Sequence, residues 1–265
     1  MSRPRVGLFA TCLVDLFRPR IGFAAATLLE RAGCEVVVPE GQTCCGQPAW
    51  NNGDARSARA LALATMDAFA DCEAVVAPSG SCIGMLRQFP EVLGATDVRH
   101  GEAIDFAERC HELSDYLVNV RRWTPDALPA GEVVTYHDSC AGLRECGIKA
   151  QPRALLAAAG VEIEEMTAAE VCCGFGGTFC VKYPEISSAM ADAKLASARE
   201  RDARIVAGGD LGCLLALEGR DSRRVDDSAG TDEALRFRHY AELLLPAGSA
   251  AEAAAGTAAD DGAPS

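Results

Sequence analysis

The stretch GQTCCGQP at Gly41–Pro48 has a counterpart in VCCGFGGTF at Val171–Phe179. Each stretch contains two adjacent cysteines followed by glycine, Cys44–Cys45 with Gly46 in the first and Cys172–Cys173 with Gly174 in the second. The recurrence of so specific a motif indicates an internal duplication, which the positions of the other cysteines can test.

Two further cysteine positions keep this register. Cys12 precedes Cys44 by the same interval as Cys140 precedes Cys172, and Cys82, in the turn SGSC, corresponds to Cys213, in the turn DLGC. The second copy has three additional residues before its last cysteine. Because the period is long and there are only two copies, the pattern predicts a duplicated domain rather than a solenoid.

Each copy alternates short apolar runs with segments of helical periodicity. The expected strands are Val6–Ala10, Glu35–Val38, Ala74–Ala77, Val133–Tyr136, Val161–Ile163 and Arg204–Ala207. Helices are expected between them, with Gly33 and Gly160 as helix stops. The later helices are expected at Asp54–Asp71, Pro184–Asp202, Ile104–Val120 and Leu235–Leu245. Each copy is therefore expected to be a Rossmann-like β-α-β-α-β lobe of the α/β class, with a parallel sheet.

The boundary between the two lobes is expected in the Pro- and Gly-rich segment Pro125–Gly131. This places the first cysteine-rich domain at residues 1–125 and the second at residues 126–246. Residues 247–265 are rich in Ala, Gly, Ser and Asp without periodicity, and they are expected to form a disordered tail. A short Ala-rich helix around Ala250–Ala255 is the alternative for part of this tail.

Composition excludes several classes of function. The chain has 265 residues, 49 % of them hydrophobic, and no uninterrupted apolar stretch of ~18 residues, so a membrane-spanning helix is not expected. The net charge of −13 opposes binding to nucleic acid or to anionic lipid. Thirteen cysteines cannot all pair within one chain, and the chain is too long for a small disulfide scaffold.

The N-terminus begins like a secretory signal, since Arg3 and Arg5 precede the mostly apolar run Val6–Val14. Charged residues follow this run at once, and a similar segment recurs in the middle of the chain. The run is therefore interpreted as a core strand. The protein is expected to be cytoplasmic, with its thiols reduced.

The parallel sheets explain why the cysteines in register should meet. Ligands bind beyond the carboxyl ends of the strands in an open parallel sheet, and each of these cysteines follows a predicted strand. Two groups of four thiols are expected, Cys12, Cys44, Cys45 and Cys82 in one copy and Cys140, Cys172, Cys173 and Cys213 in the other. The donor set favours an iron–sulfur cluster. Structural zinc, which usually binds close Cys-x2–4-Cys pairs, and a thiol–disulfide site are the alternatives.

At this point the sequence resembles the cysteine-rich CCG domain family and, more closely, the lactate utilization protein A (LutA/YkgE) family. The resemblance spans about residues 4 to 246 and rests on Thr11–Cys12, Gly41–Pro48, Pro78–Cys82, Tyr136–Cys140, Val171–Phe179, Gly212–Leu215 and the final HYAELL of His239–Leu244. It implies an iron–sulfur electron-transfer subunit that helps oxidise L-lactate to pyruvate. It also implies up to two clusters, of the [4Fe–4S] type, and two partner subunits, a B-type iron–sulfur protein and a C-type protein.

Related CCG proteins include the iron–sulfur subunit of glycolate oxidase and the CCG-containing subunit of heterodisulfide reductase, and these systems are the alternative functions. The reductase-type copies have a fifth cysteine, where this chain has Met85 and Ala216. The resemblance therefore implies conventional four-thiolate clusters and makes direct disulfide reduction less favoured.

The remaining residues of interest have a plain alternative each. Cys34, Cys72 and Cys110 are expected to be buried packing residues. Cys146 and Cys180 are considered as accessory ligands or redox groups, with packing as the alternative. His137 and His239 are considered as hydrogen-bond donors to cluster sulfur, with a structural role as the alternative. Lys182 is considered as a charge that offsets the cluster, with a solvated lysine as the alternative. The sequence contains no catalytic triad, phosphate loop or dinucleotide fingerprint, so no catalytic residue is assigned and a non-catalytic or co-catalytic subunit is expected.

Overall fold

The computed structural model describes residues 3–128, 132–227 and 233–246. The chain forms two compact units, of which the first runs to Thr124 and also includes Leu245, and the second spans Pro125–Leu244. The domain boundaries expected from the sequence stay a prediction, and the expected tail at residues 247–265 lies outside the described residues.

The first unit contains a four-stranded parallel sheet in the order β2-β1-β3-β4. Its strands are β1 (Arg5–Leu8), β2 (Glu35–Val37), β3 (Ala74–Ala77) and β4 (Cys110–Glu112). Its helices are α1 (Cys12–Phe17), α2 (Pro19–Arg31), α3 (Gln47–Asn51), α4 (Ala55–Ala68), α5 (Gly80–Arg87), α6 (Phe89–Leu93), α7 (His100–Glu108) and α8 (Leu113–Asp115), and a π-helical turn follows at Tyr116–Val120.

The second unit repeats this sheet in the order β6-β5-β7-β8, again with all strands parallel. Its strands are β5 (Val133–His137), β6 (Glu162–Ile163), β7 (Ile205–Gly208) and β8 (Arg236–His239). Its helices are α9 (Cys140–Arg144), α10 (Ala150–Ala158), α11 (Phe179–Lys182), α12 (Pro184–Arg199) and α13 (Leu211–Asp227), and a 3-10 turn closes the unit at Tyr240–Leu244. The predicted α/β class, parallel sheets and duplication are confirmed.

The predicted helix stops are confirmed in both units, and they have the same geometry. Gly33 and Gly160 have φ of 82° and 83°, a left-handed conformation that glycine adopts without a Cβ clash. The amide of Cys34 donates to the carbonyl of Leu29 at 3.0 Å, and the amide of Val161 donates to that of Leu156 at 2.9 Å. These bonds satisfy carbonyls at the helix end and turn the chain into β2 and β6.

The prediction of one helix over Ile104–Val120 is wrong, because a strand interrupts this segment. The helix α7 ends at Glu108, and β4 then pairs in parallel with β3, with Cys110 opposite Val75. The prediction failed because Leu113, Tyr116 and Leu117 are buried at helical spacing and mask a strand of only three residues.

The helix expected over Leu235–Leu245 is also wrong. Residues Arg236–His239 form β8, which pairs in parallel with Ile205–Gly208 of β7. Phe237 and His239 are buried while Arg236 is exposed, so the segment has the two-residue period of a half-buried edge strand. The alternation covers only four residues, and the apolar segment Tyr240–Leu244 follows it directly, so the sequence pattern predicted one helix through both. Each lobe therefore has four strands rather than three.

Among the described residues, no helix has both the length and the apolar character needed to cross a membrane.

Candidate metal centres

In the first unit, three loops bring cysteines to the carboxyl edge of the sheet. Cys12 begins α1 after β1, the pair Cys44–Cys45 lies in the loop after β2, and Cys82 lies in the first turn of α5 after β3. The hydroxyl of Thr11 accepts a hydrogen bond from the amide of Val14 at 3.4 Å. The hydroxyl of Ser79 likewise accepts one from the amide of Cys82 at 3.3 Å. These N-caps fix the two helix starts that carry single cysteines.

The loop that carries the adjacent cysteines is tied to the end of β1. The side-chain oxygen of Gln42 accepts a hydrogen bond from the amide of Ala10 at 2.8 Å, and its amide nitrogen donates to the carbonyl of Leu8 at 3.3 Å. In the second unit the amide of Asp138 donates to the carbonyl of Ala169 at 3.1 Å. In both units, therefore, the residue two positions before the first cysteine holds the loop of the cysteine pair.

The four thiols of the first unit form a continuous chain of contacts. The Sγ atoms of Cys12 and Cys44 are 3.9 Å apart. The thiol of Cys45 contacts those of Cys44 and Cys82. None of these thiols is in a disulfide. The structure thus brings the four expected residues of the first unit together.

The second unit has the same chain of contacts in the same order. The thiol of Cys172 contacts those of Cys140 and Cys173, and the thiol of Cys173 contacts that of Cys213. The amide of Gly174 donates to Cys172 Sγ at 3.4 Å. The structure therefore also brings the other four expected residues together, and the two units repeat one arrangement.

Each cysteine pair is followed by a glycine in the left-handed region. Gly46 has φ of 90° and Gly174 has φ of 86°. A Cβ at Gly174 would lie 2.6 Å from the carbonyl oxygen of Ser187, whereas the nearest atom to a Cβ at Gly46 is a carbon of Leu61 at 3.6 Å. Both glycines allow the left-handed conformation of the turn, and the absence of a Cβ at Gly174 also allows α12 to approach closely.

The crowding of thiols perturbs their acidity. Contact with Cys44, together with burial, raises the pKa of Cys12, and the pKa of Cys44 is lowered because the thiols of Cys12 and Cys45 donate to its sulfur. Burial and contact with Cys172 raise the pKa of Cys140 to about 11. The sulfur of Cys44 is thus favoured as a thiolate, while the neighbouring thiols of Cys12 and Cys45, whose pKa values are raised, hold their protons more tightly.

Lys194 is a buried charged residue beside the second group that sequence reasoning missed. Its side chain is 1 % exposed, and Nζ donates to the carbonyl of Ala168 and, at 3.0 Å, to that of Ala169. Burial lowers the pKa of Lys194, while the nearby sulfurs of Cys173 and Cys213 favour its charged form. The sequence signal that could have identified Lys194 is its position on the otherwise apolar face of α12. Lys182, which was considered instead, is exposed.

His137 is the second buried polar residue of this site. It is 1 % exposed, and burial lowers its pKa to about 3, so the imidazole is neutral. One ring nitrogen and the Sγ atoms of Cys173 and Cys213 all lie within 4.8 Å of one another. His239 has a structural role, since its Nδ1 accepts a hydrogen bond from the amide of Ala241 at 3.2 Å in the turn after β8.

The cysteines outside the register fall into two groups. Cys34, Cys72 and Cys110 are at most 5 % exposed, and Cys110 Sγ donates to the carbonyl of Phe106 at 3.2 Å, as suits packing residues. Cys146 and Cys180 are partly exposed. Cys180 lines a cavity of about 400 Å³ together with Cys173. The structure thus shows no thiol chain involving Cys34, Cys72 or Cys110 among the described residues.

The donor chemistry of both sites fits a soft metal. Four sulfurs from three loops meet at the edge of each sheet, and thiolate-rich sets of this kind select zinc or iron–sulfur clusters over hard cations. The fold and these sites define a class: a duplicated α/β protein with one four-cysteine centre per parallel sheet.

Comparison with known proteins narrows this class. A family model described as "Cysteine-rich domain", CCG, matches residues 6–87 and 134–218. Relatives called lactate utilization protein A, each aligned over 241 residues, include proteins of Geobacillus kaustophilus at 41 % identity and Bacillus subtilis at 39 %. Each alignment covers 91 % of this chain and 98 % of the relative. The chain belongs to the lactate utilization protein A family and is built from two CCG domains.

The fold also occurs among solved structures. A hypothetical protein from Helicobacter pylori superimposes with a TM-score of 0.63 at 10 % identity. The match covers 92 % of this chain and 50 % of that one.

Proposed function

We propose that the chain is the iron–sulfur electron-transfer subunit of a cytoplasmic complex that oxidises L-lactate to pyruvate. The observation that carries the proposal is the pair of matching four-sulfur chains, Cys12–Cys44–Cys45–Cys82 and Cys140–Cys172–Cys173–Cys213. The shared name of the relatives supplies the metabolic setting.

Iron–sulfur clusters account for the sites better than structural zinc does. Neither group of four contains the close Cys-x2–4-Cys pair that zinc usually binds, and the ligands come from loops that are far apart in sequence. Thiolates held in this way are the usual ligands of iron–sulfur clusters. A [4Fe–4S] cluster in each unit would accept and release single electrons, and the buried Lys194 would offset negative charge at the second one.

The proposed partners are the B-type and C-type lactate utilization proteins. The thiol of Cys12 is partly exposed, and the residues after it, Leu16 and Phe17, are 72 % and 59 % exposed. A partner that covered this apolar rim would bring its own redox centre close to Cys12. The net charge of −13 opposes nucleic acid as a partner.

The cofactor is tested by metal analysis of protein purified without air. We expect iron and acid-labile sulfide in similar amounts, little zinc, and broad absorption near ~400 nm, the region of thiolate-bound iron clusters. Cys44→Ser and Cys172→Ser should each remove about half of the iron. The matched control, Cys110→Ser, should keep the full amount because Cys110 lies outside both sulfur groups.

Stoichiometric zinc without sulfide would overturn the iron–sulfur proposal and favour a zinc–thiolate scaffold. The metabolic part is tested separately by deletion of the gene, which should abolish growth on L-lactate. Re-expression of the unmodified chain should restore this growth, while the doubly substituted Cys44→Ser, Cys172→Ser chain should not. Normal growth of the deletion strain on L-lactate would contradict the assignment.

A further inference from the structure

We propose that His137 is a direct ligand of the metal in the second centre, which is therefore a mixed sulfur–nitrogen site, whereas the first centre is bound by sulfur alone. This inference rests on the proposed presence of metal at the cysteine groups. Since a [4Fe–4S] cluster takes one protein ligand at each of its four irons, His137 takes the position of one of the four cysteines, and the two copies become chemically different.

The distances suit ligation of one metal centre. Metal bonds are about 2.3 Å to sulfur and about 2.0–2.1 Å to imidazole nitrogen. The ring nitrogen of His137 and the sulfurs of Cys173 and Cys213 already lie within 4.8 Å of one another. The imidazole therefore stands close enough to the sulfurs to bind the same cluster.

The backbone carries His137 to this position. It is the last residue of β5, and the pairing of β5 with β7 sets it opposite Gly208, five residues before Cys213. Cys140 follows His137 by three residues at the start of α9. The imidazole thus stands at the same sheet edge as the sulfurs, on one of the two central strands.

His137 also has unused bonding capacity. One ring nitrogen of His137 lies within reach of the Ala169 backbone, and the other has no hydrogen-bond partner among the described residues, although the side chain is almost completely buried. Leaving a buried polar group unpaired costs free energy because its hydrogen bonds to water are lost without replacement. A bond from one nitrogen to the metal would remove that cost at this position.

The first unit has no equivalent of this imidazole. The register that aligns Cys12 with Cys140 places Phe9 where the second unit has His137. Phe9 is fully buried and packs against Phe69, with ring centroids 5.9 Å apart. The duplicated frame therefore supplies an internal comparison: the same strand end carries a hydrocarbon ring in one copy and a metal-binding ring in the other.

The test is pulsed electron paramagnetic resonance of the reduced protein, with each centre isolated in turn. In Cys44→Ser only the second centre should fill, and it should show strong nitrogen coupling from a directly bound imidazole. Growth on ¹⁵N-histidine should change that signal to the ¹⁵N pattern, which assigns it to histidine without any substitution at His137. In Cys172→Ser only the first centre should fill, and the strong coupling should be absent.

Variants then identify the histidine among the four in the chain. His137→Phe, which copies the first unit, should abolish the strong coupling in the Cys44→Ser background, as should the more conservative His137→Gln. His111→Asn, whose side chain lies in the first unit beside Asp115, should leave it unchanged. Circular dichroism identifies any variant that has failed to fold.

Failure of this inference is distinguishable from failure of the proposed function. A sample with full iron and sulfide but only the weak coupling of a hydrogen-bonded nitrogen, or none, would overturn the ligand role alone. If the sample instead held zinc, the iron–sulfur function would fail, and Co²⁺ put in place of zinc would answer the ligand question by the same resonance experiment. Strong coupling that persisted in His137→Gln would also overturn the inference.

Discussion

Lys194 shows how a single residue separates the two centres electrostatically. It carries a buried ammonium group to the second group of sulfurs, whereas the buried residues of α4 in the first unit, Ala58, Ala62, Thr65 and Met66, are all uncharged. A positive charge in a low-dielectric surrounding stabilises the more negative, reduced form of a nearby redox group. A cluster bound at this group, as proposed, is therefore expected to be reduced more readily than it would be without this lysine.

Lys194→Met, which removes the charge and keeps an unbranched side chain, should lower the reduction potential of a cluster bound at the second group. At a separation of ~8 Å and an effective dielectric constant of ~20, one charge contributes about 2 kcal/mol, or roughly 90 mV for one electron. The measurement is a redox titration in the Cys44→Ser background, monitored by electron paramagnetic resonance. The exposed Lys182→Met is the charge-matched control and should change the potential much less. An unchanged potential in Lys194→Met would show that solvent or counterions screen the charge.

At the scale of secondary-structure elements, the turns after the cysteine pairs contain glycines whose replacement would strain the backbone. Gly46 and Gly174 share one backbone conformation, yet only Gly174 is pressed against a neighbouring helix. Sequence analysis aligned these two glycines but could not tell them apart, because the approach of α12 to Gly174 is a tertiary contact. The two positions therefore form a matched pair for substitution.

Gly46→Ala should lower the free energy of unfolding by roughly 1–2 kcal/mol, the cost of a left-handed conformation at a residue with a Cβ. Gly174→Ala should lower it by more, because its Cβ would also lie 2.6 Å from the Ser187 carbonyl oxygen. It should also reduce metal content, since relief of that clash moves Cys172 and Cys173. Urea denaturation and metal analysis of both variants provide the comparison. Equal losses would mean that α12 yields to the added methyl group.

The edge strands β4 and β8 are the strands that the sequence pattern did not predict. Ala74–Ala77 was predicted with its observed bounds because it is a buried apolar run between two helical segments. The strand Cys110–Glu112 was missed because three residues carry too little periodicity, and its pairing with β3 is what makes it a strand. Short edge strands are thus fixed by their neighbour in the sheet rather than by their own residues.

For the whole molecule, the duplication made most of the fold and of the sulfur geometry predictable. One interval along the chain aligns the first three cysteines of the two copies, and three further residues align Cys82 with Cys213. Parallel topology then places Cys12, Cys44 and Cys82 at one edge. Of the polar residues that distinguish the copies, His137 was considered from its position before Cys140, as a hydrogen-bond donor to cluster sulfur, and Lys194 was missed. Lys194 reaches the sulfurs from α12, and no spacing between cysteines encodes that contact.

Removal of metal from the whole protein should lower its thermal stability, and the loss should grow as the pH rises from neutral through the range in which thiols ionise. Metal binding displaces thiol protons, so binding weakens at low pH. In the metal-free fold, moreover, Cys140 keeps its proton up to a pKa of about 11, whereas an unperturbed thiol ionises near 9.0. Between these values the unfolded chain binds fewer protons, so rising pH destabilises the metal-free fold further. Calorimetry before and after chelation measures the difference, and a pH-independent difference would contradict this reasoning.

The distance of 3.9 Å between Cys12 Sγ and Cys44 Sγ has a consequence for how the protein matures. A disulfide needs the two sulfurs about 2.05 Å apart, so a movement of about 2 Å is enough for dioxygen to join them with loss of two protons and two electrons. Such a bond would use two of the four donors of the first unit. Cluster insertion, if it occurs as proposed, therefore competes with aerobic oxidation for the same two thiols, and a newly synthesised chain that is oxidised first cannot bind the cluster at this group.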